Sequence, residues 1–279
     1  MKRVYVVPNI GKDPELTCLS LVYEKLICLG MEILVHPDFS EKIPGSIPKE
    51  LPDKETECLI TLGGDGTVLD AFSVALMADI PVFGINIGHI GYLTELERDQ
   101  LDALARLRDN DFTVEEKMLL SVILEDGQSL DRVGLNEVYL TDHSHNIVSI
   151  DVGVGGELVR YRADGVVVAT PVGSTGYALS CGGPVVAHSV HSISVVPVCP
   201  HTFFNRALIL SDETCVVLKN ASERPLTLLM DGRALAELAP GDCVTVARSE
   251  KTLKMLSFSK DRALSTLFKK LEKLQSVQE

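Results

Sequence analysis

The sequence predicts an α/β domain built on a parallel sheet with helices, a mainly-β sandwich-like second domain, and a C-terminal strand–helix tail that returns to the first. Three observations carry this. Over the first hundred residues the apolar positions alternate between strand and helix periodicity; from about residue 114 to 258 short β segments separated by turn residues dominate; and the end of the chain reverts to a strand and an amphipathic helix. The boundaries this implies are 1–110 with 256–279 for the α/β domain and 111–255 for the β-rich domain.

Taken in order, "RVYVV" (3–7) reads as the first strand. Leu16, Leu19, Tyr23, Leu26 and Ile27 mark one face of a helix that Gly30 ends, and "MEILVH" (31–36) is the second strand. "PDFSEKIPGSIPKELPDKETE" holds Pro37, Pro44, Pro48 and Pro52 and reads as a loop. "CLITL" (58–62) is the third strand. A helix follows from about Thr67, carrying Val68, Leu69, Phe72, Ala75 and Leu76 inward, and "PVFGIN" (81–86) is the fourth strand. Such β-α-β alternation places ligands at the carboxyl ends of the strands. After a helical patch near 99–109 come "LLSVILE", "NEVYLT", "VSIDVGV", "ADGVVVATP", "SISVVPVCP", "RALILS", "CVVLK", "LTLLMDG" and "DCVTVAR", read as strands of a sandwich. "KTLKMLSFS" is a further strand, and Leu264, Leu267, Phe268 and Leu271 mark the closing helix.

Composition narrows the class of function. With 46% hydrophobic residues and a positive mean hydropathy, the 279-residue chain is an ordered globular protein. No apolar run is long enough for a membrane span, and the basic start "MKRVYVV" is too short in apolar residues for a signal peptide. Seven cysteines without a C-x-x-C pair indicate reduced thiols and a cytoplasmic location. A net charge of −13 argues against nucleic acid as a partner while leaving room for nucleotides, whose few phosphates can be held by a metal ion and backbone amides.

"LITLGGDGTVLDAF" (59–72) is a strand–turn–helix in which Asp65 sits among three glycines. Two readings stand here. Asp-Gly is favoured turn chemistry in its own right; alternatively the glycines clear a space in which an ionised carboxylate at a helix N-terminus takes a proton from a hydroxyl. Neither the Walker A pattern nor G-x-G-x-x-G is met. The second dense stretch, "YRADGVVVATPVGSTGYALSCGGPVV" (161–186), delivers Thr170, Gly173, Ser174, Thr175 and Gly176 from a buried strand into a helical turn beginning at Tyr177, which suits ribose or phosphate groups or is a β-turn with an N-cap. A serine nucleophile elbow fails, because Val172 stands two residues before Ser174. Asn136-Glu137, at a strand start, can grip vicinal hydroxyls. The pairs His143/His145, His188/His191 and Cys199/His201 belong to no four-ligand zinc pattern, and no residue is assigned to a metal.

Together these stretches resemble the NAD kinase family. The carriers are Gly63-Gly64-Asp65-Gly66-Thr67, "GINIGHIGYLTEL" (84–96), Asn136-Glu137, Asp164-Gly165, "TPVGSTGYALSCGGPVV" (170–186), "VPVCPH" (196–201) and Asp231-Gly232, in the family's order. The GGDGT turn alone is shared with lipid kinases and phosphofructokinases; the hydroxyl loop and Asn-Glu pair make the match specific. The resemblance implies transfer of the γ-phosphate of ATP, with Mg²⁺ or another divalent cation, to the 2′-hydroxyl of the adenosine ribose of NAD. By position it makes Asp65 the general base, places Asp65 and Gly66 at the NAD site, and sets Tyr92 against the adenine. It gives Asn136 and Glu137 the ribose hydroxyls or base, and places His145 where the family often has a basic residue. Arg162 and Asp164 approach the nicotinamide half, and Thr175, Gly176, Tyr177, Ala178, Leu179 and Ser180 form the adenosine pocket. It also implies a homodimer or homotetramer whose subunits share sites, with no nucleic-acid or membrane partner. This chain departs from the family's usual pattern at Val172 (threonine), Gly176 (alanine) and Arg233 (glutamine). The competing readings are a lipid kinase with the same turn, which leaves Asn136-Glu137 and the 170–176 loop without a purpose, and a non-catalytic NAD-binding regulator, which leaves Asp65 without one.

Overall fold

A computed structural model describes residues 1–88, 91–144, 146–259 and 265–269. The chain folds as two units, Met1–Glu116 with the described part of the segment from Leu253, and Lys117–Thr252.

The first unit begins with β1 (Arg3–Pro8), α1 (Thr17–Cys28), β2 (Glu32–Val35), α2 (Pro37–Ser40) and β3 (Ile47–Pro48). It continues through β4 (Cys58–Gly63), α3 (Asp65–Ala78), β5 (Val82–Asn86), β6 (Leu96–Glu97), a 3₁₀ segment (Arg98–Leu104) and α4 (Ala105–Arg108). Strands β5, β4, β1, β2 and β3 lie side by side and parallel. Parallel strands covered on both faces need near-continuous apolar sequence, and β4 is buried along its whole length. α1 turns Cys18, Leu19, Val22 and Leu26 into the core and stops where Gly30 adopts φ 77°. That phase leaves Ile27, expected inward, 44% exposed. The proline-rich stretch is not irregular throughout: it carries α2 and the short β3, whose Ile47 pairs with Leu34.

One consequence of the register matters for function. Pro8 pairs with Leu62, and Gly63 with Asn86, so three strands end at one edge. The next residues remain tied there, Asn9 N–H donating to the Leu62 carbonyl and Ile87 N–H to that of Gly63.

β7 (Thr113–Leu124) leads into the second unit, which holds β8 (Glu137–Thr141), β9 (Val148–Val154), β10 (Glu157–Ala163), β11 (Gly165–Ala169), a 3₁₀ turn (Gly173–Thr175) and α5 (Tyr177–Ser180). Then come β12 (Ser192–Val198), β13 (Leu208–Ser211), β14 (Val216–Asn220), β15 (Leu226–Met230), β16 (Arg233–Leu238) and β17 (Cys243–Ser257). One antiparallel layer runs β13-β12-β11-β8-β15-β16; another joins β10, β9, β14 and the first part of β17. A single apolar core takes Val138, Leu140, Val166 and Val168 from the first layer and Ile150, Val152, Val216 and Val244 from the second, the arrangement of a β-sandwich.

Two strands of the second unit were not expected. β10 and β16 each follow a two-residue hairpin turn, Gly155-Gly156 with φ 60° and 90° and Asp231-Gly232 with φ 48° and 74°. Both central residues are left-handed, as the hairpin twist requires. The two separate strands expected over 242–259 are one strand, β17, whose early residues pair with β14 and whose Met255 pairs with Val82. Of the closing helix, Leu264 and Leu271 lie outside the described residues; 265–269 is helical with Phe268 exposed.

Gly84 in β5 tests the packing. A Cβ there would fall 2.9 Å from the Cα of Thr94 and 3.1 Å from the carbonyl oxygen of Leu93, both backbone atoms. Gly84→Ala is expected to cost about 1–3 kcal/mol of stability by overpacking, measurable as a lowered denaturation midpoint; an unchanged midpoint would show that the 93–94 backbone can yield.

Candidate active site

The turn after β4 is built around Thr67. Its Oγ1 accepts the Asn9 side-chain amide at 2.9 Å and the Gly64 N–H at 3.4 Å, joining the end of β1 to the start of α3. A Cβ on Gly63 would fall 1.9 Å from that oxygen, and one on Gly64 would fall 2.6 Å from the ammonium nitrogen of Lys12. Gly66 meets nothing within 4 Å among the described residues. The clearing read from the glycines is therefore supplied by Gly66; Gly63 and Gly64 make room for the protein's own side chains. α3 begins at Asp65, two residues before the expected start. Asp65 and Gly66 are thus its first residues, with amides that have no intrahelical partner.

Asp65 is not an isolated carboxylate. Its two oxygens accept the N–H groups of Tyr92 and Leu93, each at 2.9 Å. A carboxylate has about four acceptor positions, so each oxygen keeps one for a further donor. Gly91 permits the approach, since a Cβ there would lie 2.3 Å from an Asp65 oxygen. Tyr92 is half-buried beside it, and its hydroxyl pKa is raised, first by burial and then by the Asp65 charge.

In the second unit another carboxylate does similar work. Asp231, in the β15–β16 turn, accepts the N–H groups of Leu135, Asn136 and Glu137 at 2.8, 2.8 and 3.1 Å. This fixes the backbone that presents Asn136 and Glu137. Burial raises the Asp231 pKa against the lowering pull of those amides. Glu137 is buried, and its Oε2 has no hydrogen-bond partner among the described residues. Burial, followed by repulsion from Asp231, pushes its pKa up to about 7.

The 170–176 loop packs on the same segment: Thr170 N–H donates to the Asn136 carbonyl, and a Cβ on Gly173 would sit 2.1 Å from that oxygen. Its hydroxyls bond to the protein's own backbone, as the turn reading of the loop requires. Thr170 donates to the Leu135 carbonyl at 2.6 Å, and Ser174 donates to Pro171 at 2.6 Å and accepts Val186 N–H at 3.0 Å. Thr175 donates to the Val172 carbonyl at 3.1 Å. Buried hydroxyls need partners, and the loop's own backbone supplies them. Gly176 lies beside the Asn136–Glu137 pair, a Cβ on it falling 3.4 Å from Glu137 Oε2 and 3.5 Å from Asn136 Nδ2.

Of the remaining expected site residues, Tyr177 is exposed and its ring meets that of Tyr139 edge-on at 5.2 Å. Ala178 is core, packed with Val167, Ala169, Val196 and Val198. Leu179 and Ser180 are exposed. Arg162 is exposed, its carbonyl accepting His201 N–H at 2.7 Å; Asp164 is half-buried, its backbone joined to Val198 and to the Thr141 hydroxyl. His145 lies outside the described residues. Asn9 and Lys12 gather at the turn, beside Thr67 of the GGDGT stretch, without having been singled out by sequence. The only sequence signal for them is that each ends or follows a strand leading to the same edge.

Because folded protein holds the Glu137 proton more tightly than an unfolded chain, burying Glu137 costs nothing below its ordinary pKa of 4.5 and progressively more as pH rises through about 7. Glu137→Gln removes that cost. Its thermal stability should match wild type near pH 4.5 and exceed it at pH 8, by a difference on the order of 3 kcal/mol; an advantage that does not grow between these values would contradict the burial argument.

Residues 46–110 match the description of the ATP-NAD kinase N-terminal domain, and residues 135–258 that of the ATP-NAD kinase C-terminal domain. The NAD kinase of Symbiobacterium thermophilum is 35% identical over 280 residues, covering 97% of this chain and 99% of its own length. That of Lachnoclostridium phytofermentans is 32% identical over 268 residues, covering 92% and 94%. Among solved structures, an NAD kinase from Archaeoglobus fulgidus in complex with ATP aligns with a TM-score of 0.73 at 25% identity, over 97% of this chain and 98% of that one. A yeast NADH kinase complexed with NADH shares the fold, with a TM-score of 0.85 at 24% identity over 98% and 88%. Two domain descriptions of one enzyme in their proper order, and relatives alike along nearly their whole length, make this chain a kinase of the ATP-NAD kinase family.

Proposed function

We propose that this protein transfers the γ-phosphate of ATP to the 2′-hydroxyl of the adenosine ribose of NAD, giving NADP and ADP. The observation that carries the reading is Asp65 at the first residue of α3, each oxygen anchored by a backbone amide and beside the open backbone of Gly66. In the transfer, the ribose oxygen forms a bond to the γ-phosphorus while the bond from that phosphorus to the β-phosphate oxygen breaks. The hydroxyl proton passes to Asp65. A carboxylate is a weak base, and it serves here because the hydroxyl loses its proton late in a loose transition state. The amides of Tyr92 and Leu93 hold the carboxylate still, so that a free acceptor position on it is already aimed when substrate arrives.

Tyr92 offers its ring to the adenine. In the second unit Asn136 and Glu137 take the ribose hydroxyls, Arg162 and Asp164 the nicotinamide half, and Thr175 to Ser180 the adenosine. For Ala178 this contribution comes from the backbone, since its methyl belongs to the core. Mg²⁺ neutralises the triphosphate charge, and it fits best as a partner that arrives with ATP. No group of three or more His, Cys, Asp or Glu side chains is placed to hold a metal among the described residues. The chain works as a homo-oligomer in the cytoplasm. Exposed Phe203, Phe204, Tyr177 and Leu179 support self-association. Seven unpaired cysteines suit a reducing compartment. No helix among the described residues is long and apolar enough to cross a membrane.

Two substitutions separate chemistry from folding. Asp65→Asn should lower NADP formation by about 10²- to 10⁴-fold, while NAD binding falls far less. Near-normal turnover would remove Asp65 as the base. Gly66→Ala should leave the melting temperature unchanged or raised, because alanine favours the helix by up to about 1 kcal/mol, yet impair turnover by filling the open side of the turn. Full activity in that variant would show that no substrate approaches Gly66.

A further inference from the structure

A cation has been left at the turn without a counter-charge. Lys12 lies in the loop after β1, and its ammonium rests over two bare glycines: a Cβ built on Gly64 would be 2.6 Å from Nζ and one built on Gly88 3.5 Å. The loop holding it is anchored at both ends. Asn9 accepts the Lys12 N–H on its side-chain oxygen at 3.2 Å while its amide grips Thr67. Asp13, buried, accepts the N–H groups of Cys18 and Leu19 at the start of α1. Yet Lys12 itself forms no ion pair with any described residue, in a chain with 39 carboxylates against 26 Lys and Arg. The Asn86 side-chain oxygen, 3.9 Å from the same Cβ position on Gly64, accepts Gly88 N–H at 3.2 Å, and the Asp65 oxygens each accept one backbone amide, from Tyr92 and Leu93.

An ammonium has three donors and no acceptor, and the start of α3 presents amides with the positive end of the helix dipole. Cation and helix start repel one another unless an anion lies near both; the one carboxylate in the first turn of α3, Asp65, is held by the Tyr92 and Leu93 amides and forms no ion pair with Lys12. Gly64 and Gly88 leave the space such an anion needs, where a side chain at either position would meet the ammonium.

We propose that Lys12 is a substrate-contacting residue that binds the terminal phosphates of ATP, drawing charge from the γ-phosphoryl group as it leaves the β-phosphate. The proposal rests on the reading of this turn as the phosphoryl-transfer end of the site. It supplies the side-chain cation that phosphoryl transfer calls for and that the turn sequence, lacking a Walker lysine, does not contain.

The test uses the full chain with NAD, ATP and Mg²⁺. Wild type must form NADP; if it does not, the reading of the turn fails rather than the role of Lys12. With wild type active, Lys12→Met should lower kcat/KM for ATP by about 10- to 100-fold, the size of a lost charge-assisted hydrogen bond, with the KM for NAD within about twofold. Lys12→Arg should recover most of the loss. Direct titration adds a readout that a merely structural lysine would not move: the Met variant should bind ATP more weakly and AMP as well as wild type does. Four results would overturn the proposal: kcat/KM for ATP within about threefold of wild type, equal weakening toward ATP and AMP, a loss confined to the KM for NAD, or a variant that fails to fold.

Discussion

Carboxylates that accept backbone amides are the constraint on which both halves of this protein depend. Loops at the ends of strands carry N–H groups with no ladder partner, and a carboxylate is an acceptor with several positions to offer. Asp65 ties down Tyr92 and Leu93, and Asp231 ties down Leu135, Asn136 and Glu137. Asp13 does the same for the start of α1, and Glu95 for Phe258. Each such charge-assisted bond contributes on the order of 1.5–3 kcal/mol, and each holds a loop that no regular hydrogen-bond pattern would hold. In Asp65 the anchoring group and the proposed chemical group are the same side chain. Rigidity and reactivity are therefore linked at that residue.

Glycine serves the same end from the other direction. Gly91 and Gly173 let backbone approach closely enough for the anchored geometry to exist, and Gly63 admits the Thr67 side chain. Gly66 differs, for nothing among the described residues needs its missing side chain. A helix residue that gives up stability without any packing reason is the kind of local inconsistency expected where a substrate must pass.

The α/β half was legible in the sequence because its signals are local: buried parallel strands read as unbroken apolar runs, and α1 and α3 as helical stripes between them. Two strands of the sandwich escaped notice because β10 and β16 carry charged residues among their apolar ones, although Gly155-Gly156 and Asp231-Gly232 mark their hairpins in the sequence. The bonding of Thr170 and Ser174 was left open between two readings for a different reason. A hydroxyl loop looks alike whether it faces a ligand or its own backbone, and burial decides between them. The bonds from Asp231 to residues 135–137 span more than ninety positions of sequence, and the approach of Lys12 to Gly64 and Gly88 joins three separate strand ends. Neither has a signature in spacing; each follows only once the sheet order is known.

The chemistry proposed for this scaffold is most directly tested by phosphorus-31 NMR of the purified chain incubated with NAD, ATP and Mg²⁺. The expected result is one new phosphate monoester on the 2′-carbon of the adenosine ribose, formed in step with an equal amount of ADP. NAD left unphosphorylated while ATP is consumed, or a phosphate appearing on a lipid or sugar supplied in competition, would contradict it.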